Sequence, residues 1–124
     1  MVHSDARGEI FVINLPDDQE LVLLHSVKGT KRGGHAHDVS EQVMLLIGQM
    51  IYNKTKYIEG RDTPFLMNPG DVSFNERNEF HMAEFTKDSW VIEWKLGTKN
   101  GSWHNIDYPP WREQVEAAAK GVSE

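Results

Sequence analysis

Between Gly29 and Gly48 the chain reads GTKRGGHAHDVSEQVMLLIG. His35, His37 and Glu41 fall within seven residues of one another and share one parity. In an extended strand successive side chains point to opposite faces, so a strand here puts all three on one face. Three ligand-type groups on one face, just after a glycine-rich stretch, describe a site rather than a surface. His81 follows forty residues later, behind a second turn at Asn68-Pro69-Gly70-Asp71. The rest of the chain reads as the container for these four residues.

Imidazole nitrogen and carboxylate oxygen together suit borderline divalent transition metals: Fe, Mn, Co, Ni, Zn or Cu. Four protein ligands on an octahedral ion leave two positions for water, substrate or dioxygen, which is a catalytic rather than a closed structural geometry. The chain contains no cysteine. That excludes disulfides, a thiolate-type zinc site and a cysteine nucleophile. A neutral imidazole can also take a proton α to a ketone and return it elsewhere, so the same residues suit acid/base work without a metal.

The 124 residues carry a net charge of −6, and no Lys/Arg cluster exceeds a pair. The electrostatic footprint of a nucleic-acid binder is therefore missing. No apolar run reaches the length of a membrane span. The opening MVHSDARGEI has no apolar stretch of the signal-peptide kind, so a cytoplasmic protein with a small-molecule substrate is expected. The length suits one domain over residues 1–124.

Short strands are expected at Glu9–Leu15, Glu20–Val27, Glu41–Ile47, Gln49–Ile58, Thr63–Met67, Val72–Phe74, Phe80–Phe85 and Ser89–Leu96. Residues 1–8 read as a loose polar arm, Lys28–Gly34 as a loop and Glu59–Asp62 as a turn. The strand from Glu20 is apolar at nearly every position, as in a strand buried on both faces or at a subunit contact. Pro109-Pro110 before Trp111–Lys120 and Gly121 after it mark one helix. Many short strands with glycine and proline turns indicate an all-β sandwich or barrel, about 9–96, followed by an extension and helix at about 102–121. His25 reads as a satisfied core histidine, Trp90, Trp94, Phe11 and Phe85 as core or interface packing, and Trp103, Tyr108 and Trp111 as pins for the C-terminal segment.

The spacing from Gly29 through His35, His37 and Glu41 to Gly48 resembles the first motif of the cupin superfamily. Pro69-Gly70-Asp71, the strand Val72-Ser73-Phe74 and His81 resemble the second, although the loop from Asn75 to Phe80 departs from its usual wording. The resemblance implies a single jelly-roll-like antiparallel β-barrel with the site inside and His35, His37, Glu41 and His81 as metal ligands. A narrower likeness lies in Asp5-Ala6-Arg7-Gly8, in Arg32-Gly33-Gly34-His35-Ala36-His37 and in Glu41-Gln42-Val43. These runs are similar to the FdtA/WxcM-like dTDP-sugar 3,4-ketoisomerase group. That likeness implies His35 and His37 as an acid/base pair acting on a nucleotide-linked keto sugar, with Arg32 and Arg7 holding the anion. The tyrosines that the group carries on the preceding strand are absent, since Leu21-Val22-Leu23-Leu24-His25-Ser26 stands there. A metal-dependent cupin enzyme such as a mononuclear dioxygenase, and a non-enzymatic small-molecule-binding cupin, remain as alternatives. A homodimer joined through the Leu21–Leu24 strand is expected, because short cupins commonly pair barrels through an exposed sheet.

Overall fold

Alternating apolar and polar residues with glycine turns give strands that can bury only one face each, and two such sheets must close on one another. The computed structural model describes residues 3–55, 64–97 and 103–120. Its elements are β1 (His3–Asp5), β2 (Gly8–Asn14), β3 (Glu20–Ser26), β4 (Lys31–His37), β5 (Glu41–Ile47), β6 (Met50–Thr55), β7 (Phe65–Met67), β8 (Val72–Asn75), β9 (Phe80–Phe85), β10 (Ser89–Lys95), β11 (Asn105–Asp107) and α1 (Pro109–Ala119). One sheet has the order β1-β2-β3-β10-β5-β8 and the other β11-β4-β9-β6-β7. Every pairing is antiparallel.

The inner faces of both sheets make one core, in which Leu24, Val43, Leu45, Met50, Phe85 and Val91 are buried. A second cluster lies outside the five-stranded sheet. There Trp111 and Val115 of α1 cover Ala36, Phe80 and Met82. The helix therefore serves as a lid on the outer face of β4 and β9, the strands that carry the histidines. It starts at Pro109, since proline at the first helical positions gives up no needed hydrogen bond.

Several expectations need correction. Residues 3–5 are not a loose arm: they form β1, paired with β2 from His3↔Ile10 to Asp5↔Gly8. Lys28–Gly34 is not one loop, because β4 already begins at Lys31, and Gly33 and Gly34 sit inside the strand as a register irregularity. The barrel does not end near residue 96: β11 adds an edge strand through Asn105↔His37 and Asp107↔His35. Three residues in a polar stretch are too short a pattern to read as a strand. β3 is buried on one face only. Leu24 and Ser26 are buried, whereas Leu21, Leu23 and His25 are half-buried. The expected turn at Glu59–Asp62, Tyr57 and Ile58, Thr63 and the helix-ending Gly121 lie outside the described residues. No helix among the described residues is long and apolar enough to cross a membrane.

Candidate metal and substrate site

The site is built on a bulge. Arg32 pairs with Ala83 and His35 with His81, and the register shifts between them. Ala83 and His81 are two residues apart on β9 and both face the barrel. Arg32 and His35 are three apart, so a regular strand would put them on opposite faces. The extra residue in Gly33-Gly34 brings both inward. Both glycines have positive φ, +94° and +77°. A Cβ on Gly33 would stand 2.7 Å from the His81 carbonyl oxygen, so only glycine fits there. From the other side, Arg112 of α1 donates from Nη1 to the Gly33 carbonyl at 2.8 Å.

His35 and His37 come from β4 and His81 from the adjacent β9. One ring nitrogen from each lies within 4.8 Å of the other two. Glu41 does not share their strand, as the parity reading required. It opens β5 in the opposite sheet and meets the histidines across the barrel. Its Oε2 is 2.9 Å from His37 Nε2, and its Oε1 is 3.7 Å from Lys95 Nζ. Glu41 is fully buried and His37 almost so.

The protonation of His37 follows from its partners. Its Nδ1 lies 2.7 Å from Asn105 Oδ1, an oxygen that only accepts, so Nδ1 carries the proton. Nε2 is the nitrogen left for the site, and it faces a carboxylate. Although 2.9 Å apart, His37 Nε2 and both Glu41 oxygens are buried without a hydrogen-bond partner. Two acceptors this close require a cation between them, either a proton or a metal ion. His81 is arranged in the same way: its Nδ1 points at the Glu79 carbonyl oxygen, 3.4 Å away, and leaves Nε2 for the site. Burial and the neighbouring His81 and His37 push the pKa of His35 down to about 2. Burial and His37 push His81 down to about 4, against the opposing pull of Glu41. Burial alone would raise Glu41, but the His37 contact, His81 and Lys95 hold its carboxyl well below the usual range. Neutral imidazoles around an ionised carboxylate are the donor states that a divalent transition metal needs. The residues present therefore fit such an ion.

A cavity of about 350 Å³ opens beside the triad. Its polar lining comes from His35, His37, His81, Tyr52 and Asn105 and from Arg7, Arg32, Glu20 and Glu93. Ile10, Val12, Val22, Val43 and Val91 form its apolar wall. Arg32 is buried and donates from Nε to Ser26 Oγ at 2.7 Å and from Nη2 to the His25 carbonyl at 3.1 Å. Arg7 is held by Asp5 through several bonds of 2.6–3.1 Å. All six sequence-derived site residues are thus in or beside this cavity.

Other candidates fall elsewhere. His25 is not a core histidine: it lies on the outer face, 3.1 Å from Glu9 and stacked on Trp90. Phe11 and Trp90 also stack on the outside rather than in the core, whereas Phe85 is buried in it. Trp103 does more than pin the tail, since its ring contacts His37 and carries Lys95 Nζ 4.2 Å from its centroid. Sequence reasoning missed Asn105, Tyr52, Glu93, Lys95 and Arg112. Glu93 and Lys95 had a signal: they sit on the opposite parity from Trp90, Ile92 and Trp94, so one set had to face inward. Tyr52, on β6, stacks on His81, and its hydroxyl accepts from Asn75 Nδ2 at 2.7 Å. Nothing in the sequence around Asn105 marks it.

No family model matches the chain, and no curated protein matches it. Its fold does match solved structures. The capsular polysaccharide assembling protein CapF from Staphylococcus aureus aligns at a TM-score of 0.74 and 17% identity over 86% of this chain. The chain spans only 32% of CapF. KdgF from Halomonas sp. aligns at 0.57 and 20% identity, covering 72% of this chain and 80% of KdgF. Cobalt(II) HppE in complex with Tris buffer aligns at 0.60 and 11% identity, covering 71% and 52%. At these identities the likeness defines the fold: an all-β cupin barrel with one short C-terminal helix.

Proposed function

We propose that this chain is a metal-dependent enzyme that binds a small molecule in the barrel cavity. His35, His37 and His81, with Glu41, would hold one divalent transition ion. The observation that carries this reading is the fully buried His37 Nε2–Glu41 carboxylate contact at 2.9 Å beside two further imidazoles. When bound, the ion supplies a Lewis acid that polarises a substrate oxygen. The chain's own contribution is to keep His35 and His81 neutral by burial, to orient the His37 ring through Asn105, and to exclude water with the apolar wall. Cobalt in the HppE structure supports metal competence of this fold. Metal analysis of protein purified without a His-tag tests the reading. Near-stoichiometric Fe, Mn, Co, Ni, Zn or Cu, lost in His37→Ala, is expected. Metal-free protein whose stability is indifferent to chelator would overturn it.

A second reading has its own support. In it His35 and His37 move a proton between neighbouring carbons of a nucleotide-linked keto sugar, with Arg32 and Arg7 at the anion. A proton shared between His37 Nε2 and Glu41 then takes the place of the ion. The Arg32–His37 and Glu41–Val43 runs and the structural likeness to the capsular polysaccharide assembling protein CapF support it. Deuterium exchange at carbons flanking the ketone of a dTDP-keto sugar is the expected result. No exchange and no dTDP binding would rule that substrate class out.

We also propose a homodimer. The outer face of the six-stranded sheet presents Phe11, Leu21, Leu23, Trp90 and Ile92, all half-buried, and an exposed Ile13. A second copy laid on this face would cover an apolar surface too continuous to be left in water. Light scattering should give twice the mass of the chain; a monomer would contradict the proposal.

A further inference from the structure

Arg32 is 6% exposed and sits deep in the barrel. A guanidinium is charged at every working pH, and taking it out of water is costly unless an anion accompanies it. Among the described residues no carboxylate lies within 4 Å of Arg32: its two bonds go to a hydroxyl and a backbone carbonyl, both neutral. Neighbouring Arg7 adds positive charge, although Asp5 pairs with it directly. Burial first, and then Arg7, push the Arg32 pKa down to about 10, against the more distant pull of Asp5, Glu93 and Glu9. The Gly33-Gly34 bulge exists at the cost of two left-handed residues, and its effect is to turn Arg32 to the same side as the histidines. A structural arginine would not need to face the cavity.

We infer that the cavity takes a ligand bearing a carboxylate, which completes Arg32 while the rest of the molecule reaches the histidine site. The inference rests on the small-molecule reading above and names its substrate class. Arg32 stands opposite Ala83 and His35 opposite His81, two strand residues on. At about 3.3 Å per residue that separation is about 7 Å. A carboxylate on Arg32 thus places carbons two to four bonds away beside the imidazoles, which suits a sugar-sized or smaller acid. The cavity of about 350 Å³ is large enough to enclose such a molecule. A monoanion also matches the charge. Glu93 and Glu20 already line the same space, and burial followed by Glu41 raises the Glu93 pKa. One unpaired guanidinium compensates one negative charge, whereas a phosphate dianion would leave an excess beside two glutamates.

The test uses the protein as purified, titrated with sodium acetate, sodium phosphate or sodium chloride at matched ionic strength, with affinity read by NMR shift changes. Arg32→Gln keeps a donor for Ser26 and removes the charge. Lys31→Gln is the control, because Lys31 points outward to Gln114. Acetate should bind the parent and Lys31→Gln alike and Arg32→Gln about tenfold or more weakly, as loss of a charge-assisted pair implies. Phosphate should bind less well than acetate. Equal acetate binding by Arg32→Gln, no acetate binding by the parent, or Arg32-dependent phosphate binding tighter than acetate would each overturn the inference. Metal content measured on the same samples should be unchanged in Arg32→Gln. A loss of metal from the parent would count against the metal reading, while an Arg32-independent acetate response with metal intact would count against this one alone.

Discussion

Replacing Gly33 with alanine tests the bulge on which the site depends. Gly33 has φ +94°, and an added Cβ would stand 2.7 Å from the His81 carbonyl oxygen and 3.3 Å from the Met82 Cα. These are backbone atoms of the strand that carries His81, so no side chain can swing aside. The left-handed conformation costs an alanine about 1–2 kcal/mol. Relieving the contact adds strain of the same order, so a loss of about 2–3 kcal/mol follows. For a chain of this size that lowers Tm by roughly 10 °C. Because relief comes by moving β9, His81 leaves its place among the ring nitrogens, and metal affinity should fall by about tenfold or more. Gly29→Ala is the control: Gly29 has φ +87° but nothing within 4 Å of its added Cβ, so it keeps the backbone cost and spares the site. Differential scanning calorimetry and metal titration on both variants make the comparison. If Gly33→Ala melts no lower than Gly29→Ala and binds metal as well as the parent, the bulge does not position the histidines.

Further outcomes follow from the same contacts. The folded pKa values of His35 and His81 lie below the unfolded value, so the unfolded chain binds more protons and stability falls as pH drops below about 6.5. Between pH 6 and 5 each histidine should cost about 1 kcal/mol in the metal-free protein, read from urea midpoints; a flat profile would contradict the burial argument. Glu41 adds to the loss only below its ordinary pKa, toward about 2. Asn105→Ala frees the His37 ring and should weaken metal binding by about 10–100-fold with Tm nearly unchanged, since Asn105 is on an edge strand. Tyr52→Phe strands the Asn75 amide donor in a buried position and should cost about 1–3 kcal/mol by denaturant unfolding. Trp111→Ala removes the main plug of α1 and should cost about 3–5 kcal/mol.

The fold was legible because its signals are local. Alternation and turns marked β5 and β9 to the residue, and the motif spacing put His35, His37, Glu41 and His81 together. What the sequence hid was geometry that only pairing creates. Gly33-Gly34 reads as a loop, since glycines at a turn and at a bulge look alike before the partner strand is known. Parity therefore placed Glu41 on the histidines' strand, and the loop reading gave Arg32 no face, although both reach the cavity. Asn105 fixes the His37 tautomer from a three-residue edge strand that has no period to detect. Lys95 and Trp103, which hold the other side of Glu41 and His37, meet the site through contacts far apart in the chain.

The central claim is that His35, His37 and His81, with Glu41, would hold one divalent transition ion. Cobalt(II) titration of chelator-treated protein, followed by visible absorption, tests it most directly. The account predicts d–d bands that saturate at one ion per chain and vanish in His37→Ala and His81→Ala. Absence of bands, or bands indifferent to both substitutions, would contradict it.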